Sequence, residues 1–226
     1  MQPETIAALS PLFQAANPKT LEWLLPTAIE HEYPGNRAVL MEDSWGNAVY
    51  FILSGWVKVR RLAGDSAVTI AVLGKGDVFG EMAILDESPR STDVVSLSPV
   101  QVLSISAPNF IQTLLTDPQL QYRMLQMMGQ RLKQMNGRFQ LQNQPSFIRL
   151  ASTLVDLGDK YGVEYQETIE IFNVPFTDLA NISDINVEDA AKIMGKFRER
   201  GWIKIDSERH VIKLSGIQQL RRLLER

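Results

Sequence analysis

Hydrophobic and polar residues alternate along this chain with two different periods. Up to about residue 30, leucine and phenylalanine recur every three or four positions, which predicts short amphipathic helices. From Tyr33 to Ile105, short apolar runs are separated by turns rich in glycine and aspartate, which is typical of an antiparallel β-roll or barrel. The helical period returns after residue 117. The pattern therefore predicts an α+β fold.

Asp117 and Pro118 mark the start of a long helix. Aspartate is a good N-cap, and proline suits the first turn, where its missing N–H is not needed. Residues spaced by three and four, most of them apolar, then form one seam, which favours coiled-coil pairing of two copies. The seam consists of Leu125, Met128, Leu132, Met135, Phe139 and Gln142. We expect a homodimer through residues 117–142; the alternative is that this face packs on the protein's own β-domain.

Pro145 interrupts the helical pattern. Because proline lacks an amide donor and disfavours helical geometry in the residue before it, we place a hinge between two domains here. The predicted division assigns 1–116 to a β-roll domain, 117–142 to the dimerisation helix and 143–226 to a C-terminal domain.

The C-terminal domain contains a pattern that fits a helix-turn-helix. The first helix covers residues 177–182, a turn is expected around 183–185, and a second helix extends from Asn186 to Arg200. Asn186 is expected to cap the second helix.

Composition narrows the chemistry of the chain. Its 226 residues include no cysteine and two histidines far apart in sequence, which excludes cysteine-ligated clusters and disfavours a haem or other metal site. No nucleophile–base pair or cofactor loop is present, so we expect no catalytic residue, no metal and no enzyme activity. The sequence has no bilayer-spanning apolar run and begins Met1-Gln2-Pro3-Glu4, unlike a signal peptide. We therefore expect a cytoplasmic protein without membrane contact.

One segment, residues 78–92, combines glycine, a carboxylate and a guanidinium. Gly80 lets the backbone approach a ligand closely. Glu81 can accept a hydrogen bond from a ribose hydroxyl, and Arg90 can hold a phosphate with its planar fork of donors. These residue types predict recognition of a sugar phosphate; the alternative is that the glycines only form hairpin turns.

The same segment resembles a known motif. Phe79-Gly80-Glu81-Met82-Ala83 followed by Pro89-Arg90-Ser91-Thr92 is similar to the phosphate-binding cassette of cyclic-nucleotide-binding domains. With the downstream helix-turn-helix, the resemblance covers nearly the whole chain and indicates the cyclic-AMP receptor and fumarate-nitrate regulator (CRP/FNR) superfamily of bacterial transcription factors.

This resemblance implies an architecture and a function. We expect an N-terminal cyclic-nucleotide-binding β-roll, a long dimerisation helix and a C-terminal winged helix-turn-helix. Residues 201–206 and 210–214 would form the hairpin called the wing. The implied function is cyclic-nucleotide-responsive transcription regulation, with DNA and a second copy as partners and RNA polymerase as a candidate partner.

The ligand that the resemblance implies is cyclic AMP. Glu81 would accept from the ribose hydroxyl, Arg90 would pair with the cyclic phosphate, and Ser91 would add a donor. The other cassette contacts are expected at Gly80, Met82, Ala83 and Thr92. Base choice passes to Met135 and Asn136, where close relatives present adjacent hydroxyl residues. Asn136 can both donate and accept, so recognition of a purine is retained, but the usual hydroxyl contacts are not. Cyclic GMP, another nucleotide or a poorly responsive pocket therefore stays open.

If the second helix enters a major groove, residues near its N-terminal end read bases. The candidates are Val187, Glu188, Ala191 and Lys192, with Lys196 placed to hold a phosphate. Glu188 and Lys192 match positions that the family uses for bases, whereas Val187 stands where many relatives have arginine.

The charge of this element leaves its role open. Residues 177–200 carry four basic and five acidic side chains, and Asp184 replaces a glycine common in the family's turn. Since phosphate contacts supply non-specific DNA affinity, a weakly basic element would bind poorly. Two alternatives therefore stand beside a ligand-responsive DNA-binding regulator: a DNA-binding member with an altered or absent ligand, and a nucleotide sensor whose C-terminal domain binds a protein.

Overall fold

The computed structural model describes residues 10–64, 66–166 and 168–225. The chain divides into two compact units, Met1–Gln134 and Met135–Arg226. This boundary lies within the long helix, and the functional division after residues 116 and 142 stays a prediction.

Short helices open the described part of the first unit, as the apolar spacing predicts. Helix α1 (Pro11–Gln14) is capped by Ser10, whose hydroxyl accepts from the Leu12 amide at 3.3 Å. Helix α2 (Pro18–Leu24) is capped by Asn17 and is followed by a 3-10 turn, Leu25–Thr27. The expected helical positions before residue 10 lie outside the described residues.

The β-roll is built from eight strands in the described part of this unit. In chain order they are β1 (Ile29–Tyr33), β2 (Ala38–Leu40), β3 (Ala48–Ser54), β4 (Val57–Ala63), β5 (Ser66–Leu73), β6 (Val78–Phe79), β7 (Asp93–Ser96) and β8 (Val100–Ser106). They form two antiparallel sheets ordered β1-β8-β3-β6 and β2-β7-β4-β5. The predicted β-roll is therefore present, and it begins a few residues earlier than expected because Ile29 already pairs with Ser104.

Three helices complete the unit and join its core: α3 (Met82–Leu85), α4 (Ala107–Thr116) and α5 (Pro118–Leu141). Asp117 caps α5, because its carboxylate accepts from the amides of Gln119 and Leu120 at 3.1 and 3.2 Å. The early α5 residues Leu120 and Met124 are buried with Phe13 and Phe51 in the main apolar core. The predicted helix start is confirmed, and the cassette lies on the connection from β6 through α3 to β7.

The described part of the second unit combines the end of α5 with four further helices and a small sheet. After the last residues of α5 come α6 (Ser146–Tyr161), β9 (Val163–Tyr165), β10 (Thr168–Phe172), α7 (Phe176–Ile182), α8 (Val187–Glu199), β11 (Lys204–Asp206), β12 (Val211–Leu214) and α9 (Ile217–Leu224). The antiparallel sheet has the order β11-β12-β10-β9. Its core contains the fully buried side chains Leu150, Leu154, Leu179 and Met194. The predicted helix-turn-helix and hairpin are confirmed.

Within the described ranges, no helix combines the length and the apolar character needed to cross a bilayer.

Candidate nucleotide-binding and nucleic-acid sites

Gly80 sits in a turn that a side chain would disrupt. Its φ is +80°, in the left-handed region that favours glycine. A Cβ built there would lie 2.5 Å from Nη1 of Arg90 and 3.1 Å from Leu40 Cδ1. The close approach expected from the sequence is therefore made by the guanidinium itself.

Arg90 is buried, with 4% of its surface exposed. Its Nη1 donates to the Gly80 carbonyl, and its Nη2 donates to the Ala48 carbonyl at 2.8 Å. Burial lowers the pKa of the guanidinium, and nearby Tyr50 and Glu81 partly raise it again. Among the described residues, no carboxylate forms an ion pair with Arg90. A buried cation held by neutral carbonyls is well placed to receive an anion.

Glu81 is also buried, with 1% of its surface exposed. Its Oε1 is ion-paired with Nη1 of Arg131 on α5, and Nη2 of the same arginine donates to the Val78 carbonyl. A carboxylate out of water needs such a partner to stay charged. Glu81 and Arg90 thus lie in one cassette but contact different partners in this structure.

Arg131 is the residue that sequence reasoning missed. It lies on α5 just before Met135, outside the apolar seam, and its side chain reaches Glu81 within the first unit. The available signal was a basic residue beside the seam of a helix already suspected of touching a ligand. Helical phase alone did not show that it pointed at the cassette.

The remaining predicted ligand residues differ in exposure. Met82 and Ser91 are exposed, Thr92 is half-buried, and Ala83 is buried in the short helix α3. Met135 and Asn136 are exposed on α5 and belong to the second unit. The structure therefore brings the Arg90 guanidinium against the turn that contains Gly80, Glu81 and Ala83, and it leaves the base-selecting pair as a prediction.

The helix-turn-helix has the expected cap and buried face. Asn186 accepts from the Asp189 amide at 2.7 Å, which fixes the start of α8. Ala190, Met194 and Phe197 are buried and Ile193 is half-buried, so these four residues form the inner face of α8. All five candidate DNA contacts are exposed: Val187, Glu188, Ala191, Lys192 and Lys196.

The charge of this element is less acidic at its surface than the sequence count indicates. Asp184, in the turn at φ +53°, is ion-paired with Arg149 of α6 at 2.9 Å. Asp178 is buried, so its carboxylate does not face solvent. Of the five acidic residues, Asp178 is therefore withdrawn from the surface, and the exposed Asp184 has a basic partner outside residues 177–200. Pairing and burial of this kind are invisible to a count of charges along the chain.

Comparison with known proteins agrees with both halves of the molecule. Residues 30–117 match the cyclic nucleotide-binding domain family, and residues 148–223 match the Crp-like helix-turn-helix domain. A sensor domain joined to a helix-turn-helix defines a nucleotide-binding transcription regulator. Together with the β-roll and the long helix, these matches show that the chain belongs to the CRP/FNR superfamily, whose members regulate transcription and are not enzymes.

Individual relatives are distant but cover nearly the full length. The chain is 23% identical over 210 residues to the CRP-like cAMP-activated global transcriptional regulator of Mycobacterium tuberculosis, covering 91% of this chain and 93% of the relative. It is 24% identical over 203 residues to the cyclic AMP receptor protein of Thermus thermophilus, covering 87% and 89%. Its fold is similar to that of the c-di-GMP responsive regulator CLP from Xanthomonas campestris, with a TM-score of 0.70, 19% identity and coverage of 88% and 100%.

Proposed function

We propose that this regulator is a homodimer that binds cyclic AMP in its β-roll and DNA through α8. The observation that carries the ligand is Arg90, a buried guanidinium without a carboxylate partner among the described residues, next to the buried carboxylate Glu81. A cyclic phosphate would compensate this cation, and a ribose hydroxyl would donate to Glu81. The names of the Mycobacterium and Thermus relatives, which refer to cyclic AMP, support this choice.

The ligand would lie along the cassette. In the proposal Gly80 keeps the backbone close, Ser91 adds a donor, and Met82, Ala83 and Thr92 complete the walls. Met135 and Asn136 contact the base, and the amide of Asn136 supplies both a donor and an acceptor for a purine.

Arg131 offers a route from the ligand to the dimer helix. It ties Glu81 to α5 in this structure, so a ribose hydroxyl arriving at Glu81 changes the contacts that hold the helix. A ligand shifts the equilibrium between two arrangements of a protein only if it binds one of them more tightly than the other. The proposal is that the arrangement of α5 favoured by the ligand is passed through Pro145 to the helix-turn-helix.

DNA recognition is assigned to the exposed face of α8. Val187, Glu188, Ala191 and Lys192 would contact base edges, and Lys196 would contact a phosphate. Contact with RNA polymerase and a cytoplasmic location, where a bacterial regulator meets its promoters, belong to the same proposal.

A second ligand is favoured by one observation. The Met135-Asn136 pair lacks the adjacent hydroxyls expected for adenine recognition, while the phosphate and ribose contacts do not depend on the base. Cyclic GMP is therefore the first competitor to test.

The test is calorimetric titration of cyclic AMP and cyclic GMP into the wild type, Arg90→Leu and Arg37→Leu. Removing Arg90 is expected to cost about 2–5 kcal/mol, by analogy with breaking a buried charge pair. That corresponds to roughly a thirtyfold or greater loss of affinity. Arg37 is exposed on the same unit and serves as the matched control, with unchanged affinity. Equal affinity of the wild type and Arg90→Leu would contradict the site, and tighter binding of cyclic GMP would replace the ligand.

A further inference from the structure

The loop before β3, residues 41–47, contacts Arg90 from several sides, and we call it the cradle loop. The Arg90 amide donates to the Ser44 carbonyl at 2.8 Å, and the Arg90 carbonyl accepts from the Asp43 amide at 2.8 Å. Trp45 and Pro89 form an isolated antiparallel bridge beside this pair. The backbone of Arg90 is therefore bound to the cradle loop through both its amide and its carbonyl.

The cradle loop also packs on the guanidinium. A Cβ built on Gly46 would lie 3.2 Å from Arg90 Cζ and 3.0 Å from Ile84 Cδ1, so the glycine backbone fills the space directly against the charged group. The next strand begins at Ala48, whose carbonyl accepts from Nη2 of Arg90. Any shift of this loop moves both the main chain and the side chain of Arg90.

One buried carboxylate fixes where the cradle loop begins. Oδ1 of Asp93 accepts from the Glu42 amide at 2.8 Å. Its Oδ2 accepts from Nε of Arg60 at 3.0 Å and is ion-paired with Nη2 of the same side chain, also at 3.0 Å. Asp93 is buried, whereas Arg60 on the neighbouring strand β4 is partly exposed. Asp93 therefore ties the loop to β4 as well as to its own strand β7.

A second set of contacts holds the same end of the loop. The Glu42 carboxylate accepts from the Leu62 amide at 3.2 Å and lies 3.6 Å from Nε of the mostly exposed Arg61. The Asp93 contacts are shorter and less exposed, and charge-assisted hydrogen bonds out of water are the stronger ones. The Asp93 and Arg60 pair is thus the main side-chain anchor of the loop.

We propose that Asp93, together with Arg60, is a positioning pair for the nucleotide site: it fixes the cradle loop, and the loop fixes Arg90. The effect on ligand binding rests on the proposed function, whereas the effect on the loop does not. In metal sites, loss of a group that orients a ligand side chain commonly weakens binding by about 10-fold to 100-fold, and we take that range as the scale of the effect here.

The experiment compares the wild type with Asp93→Asn, Arg60→Met and Arg60→Lys, and with Arg37→Met as an exposed control. Cyclic AMP affinity is measured by calorimetry, and exchange of the Arg90 and Asp43 amide protons is measured by NMR without ligand. We expect Asp93→Asn and Arg60→Met to weaken affinity about tenfold, at the lower end of that range, and to speed exchange of both amides. Arg60→Lys keeps the charge and should restore part of each effect, and Arg37→Met should change neither.

Melting temperature separates positioning from a general loss of stability. A merely structural role would lower the melting temperature of Asp93→Asn and speed exchange of amides throughout the unit alike, with affinity at the wild-type value, and that result would overturn the inference. If the wild type binds no cyclic nucleotide, the proposed function fails, and the exchange rates alone decide whether Asp93 and Arg60 hold the loop. If Asp93→Asn does not fold, the two Arg60 variants provide the same comparison.

Discussion

At the scale of single residues, two glycines with positive φ distinguish the cost of backbone strain from the cost of a steric clash. Gly80 and Gly64 have φ values of +80° and +62°, but a Cβ at Gly80 meets Arg90, whereas one at Gly64 meets nothing within 4 Å. Placing an L residue in this region costs roughly 1–2 kcal/mol, so Gly64→Ala should lose about that much stability. Gly80→Ala should lose more, and it should also weaken cyclic AMP binding because Arg90 must move.

Urea unfolding and calorimetry on both variants check this prediction. Equal losses in the free energy of unfolding, with cyclic AMP affinity unchanged in both, would show that a Cβ at position 80 does not displace the Arg90 guanidinium.

Single residues also show where sequence reasoning stops. Gly80, Glu81 and Arg90 could be predicted because their chemistry follows from residue type and a short spacing along the chain. Arg131 could not, since it reaches Glu81 from a helix 50 residues later. Gly46 and Asp93 were also missed, because their importance comes from what packs against them in space.

At the scale of elements, α5 has two regions with different environments. Leu120 and Met124 are buried against the β-roll, and the seam residue Met128 is half-buried against the same core, whereas most of the other seam residues are exposed in the single chain. Exposed seam residues include Leu125, Leu132, Met135 and Phe139. An exposed set of apolar side chains on one helix face indicates a partner, and the heptad-like spacing fits a second copy.

Leu132→Glu should therefore dissociate the dimer. Leu132 is 59% exposed in the single chain, so the substitution leaves each folded subunit intact but places two carboxylates in a buried seam. An unpaired buried charge costs about 3 kcal/mol or more, which corresponds to a dimer weaker by more than about 100-fold. Sedimentation equilibrium measures this change, with Lys133→Glu, an exposed position beside the seam, as the control. A wild-type monomer, or a Leu132→Glu dimer of unchanged affinity, would contradict pairing through α5.

The starts of helices could be predicted where a capping residue marks them in the sequence. Asp117 and Asn186 cap α5 and α8 where the sequence predicts, since the cap is formed within three residues of the helix start. Strand β9 was missed because its three residues are all exposed and show no alternation of apolar and polar positions. It forms because β10 offers it an edge, which is a property of the folded sheet.

At the scale of the whole molecule, a homodimer would present two copies of α8 to DNA. A symmetric pair engages two half-sites about one helical turn apart, so every phosphate contact is made twice. The wing offers less unpaired positive charge to DNA than its composition indicates. Arg209 donates to both oxygens of the buried Glu170 at 2.7 and 2.8 Å and lies over the Tyr165 ring. Its guanidinium is engaged within the sheet, whereas Lys196 on α8 is exposed.

The salt dependence of DNA binding should therefore distinguish these two cations. Each phosphate contact contributes about 0.9 to the slope of log affinity against log salt, so Lys196→Ala should lower the magnitude of a dimer's slope by about 1.8. Arg209→Ala should leave the slope unchanged, because Glu170 already neutralises that charge. Fluorescence anisotropy on random-sequence duplex at several salt concentrations gives both values. An unchanged slope for Lys196→Ala would contradict the predicted contact between α8 and a DNA phosphate. A wild type without any slope would contradict DNA binding by α8 and favour the alternative of a protein partner, since binding to a DNA backbone necessarily releases counterions.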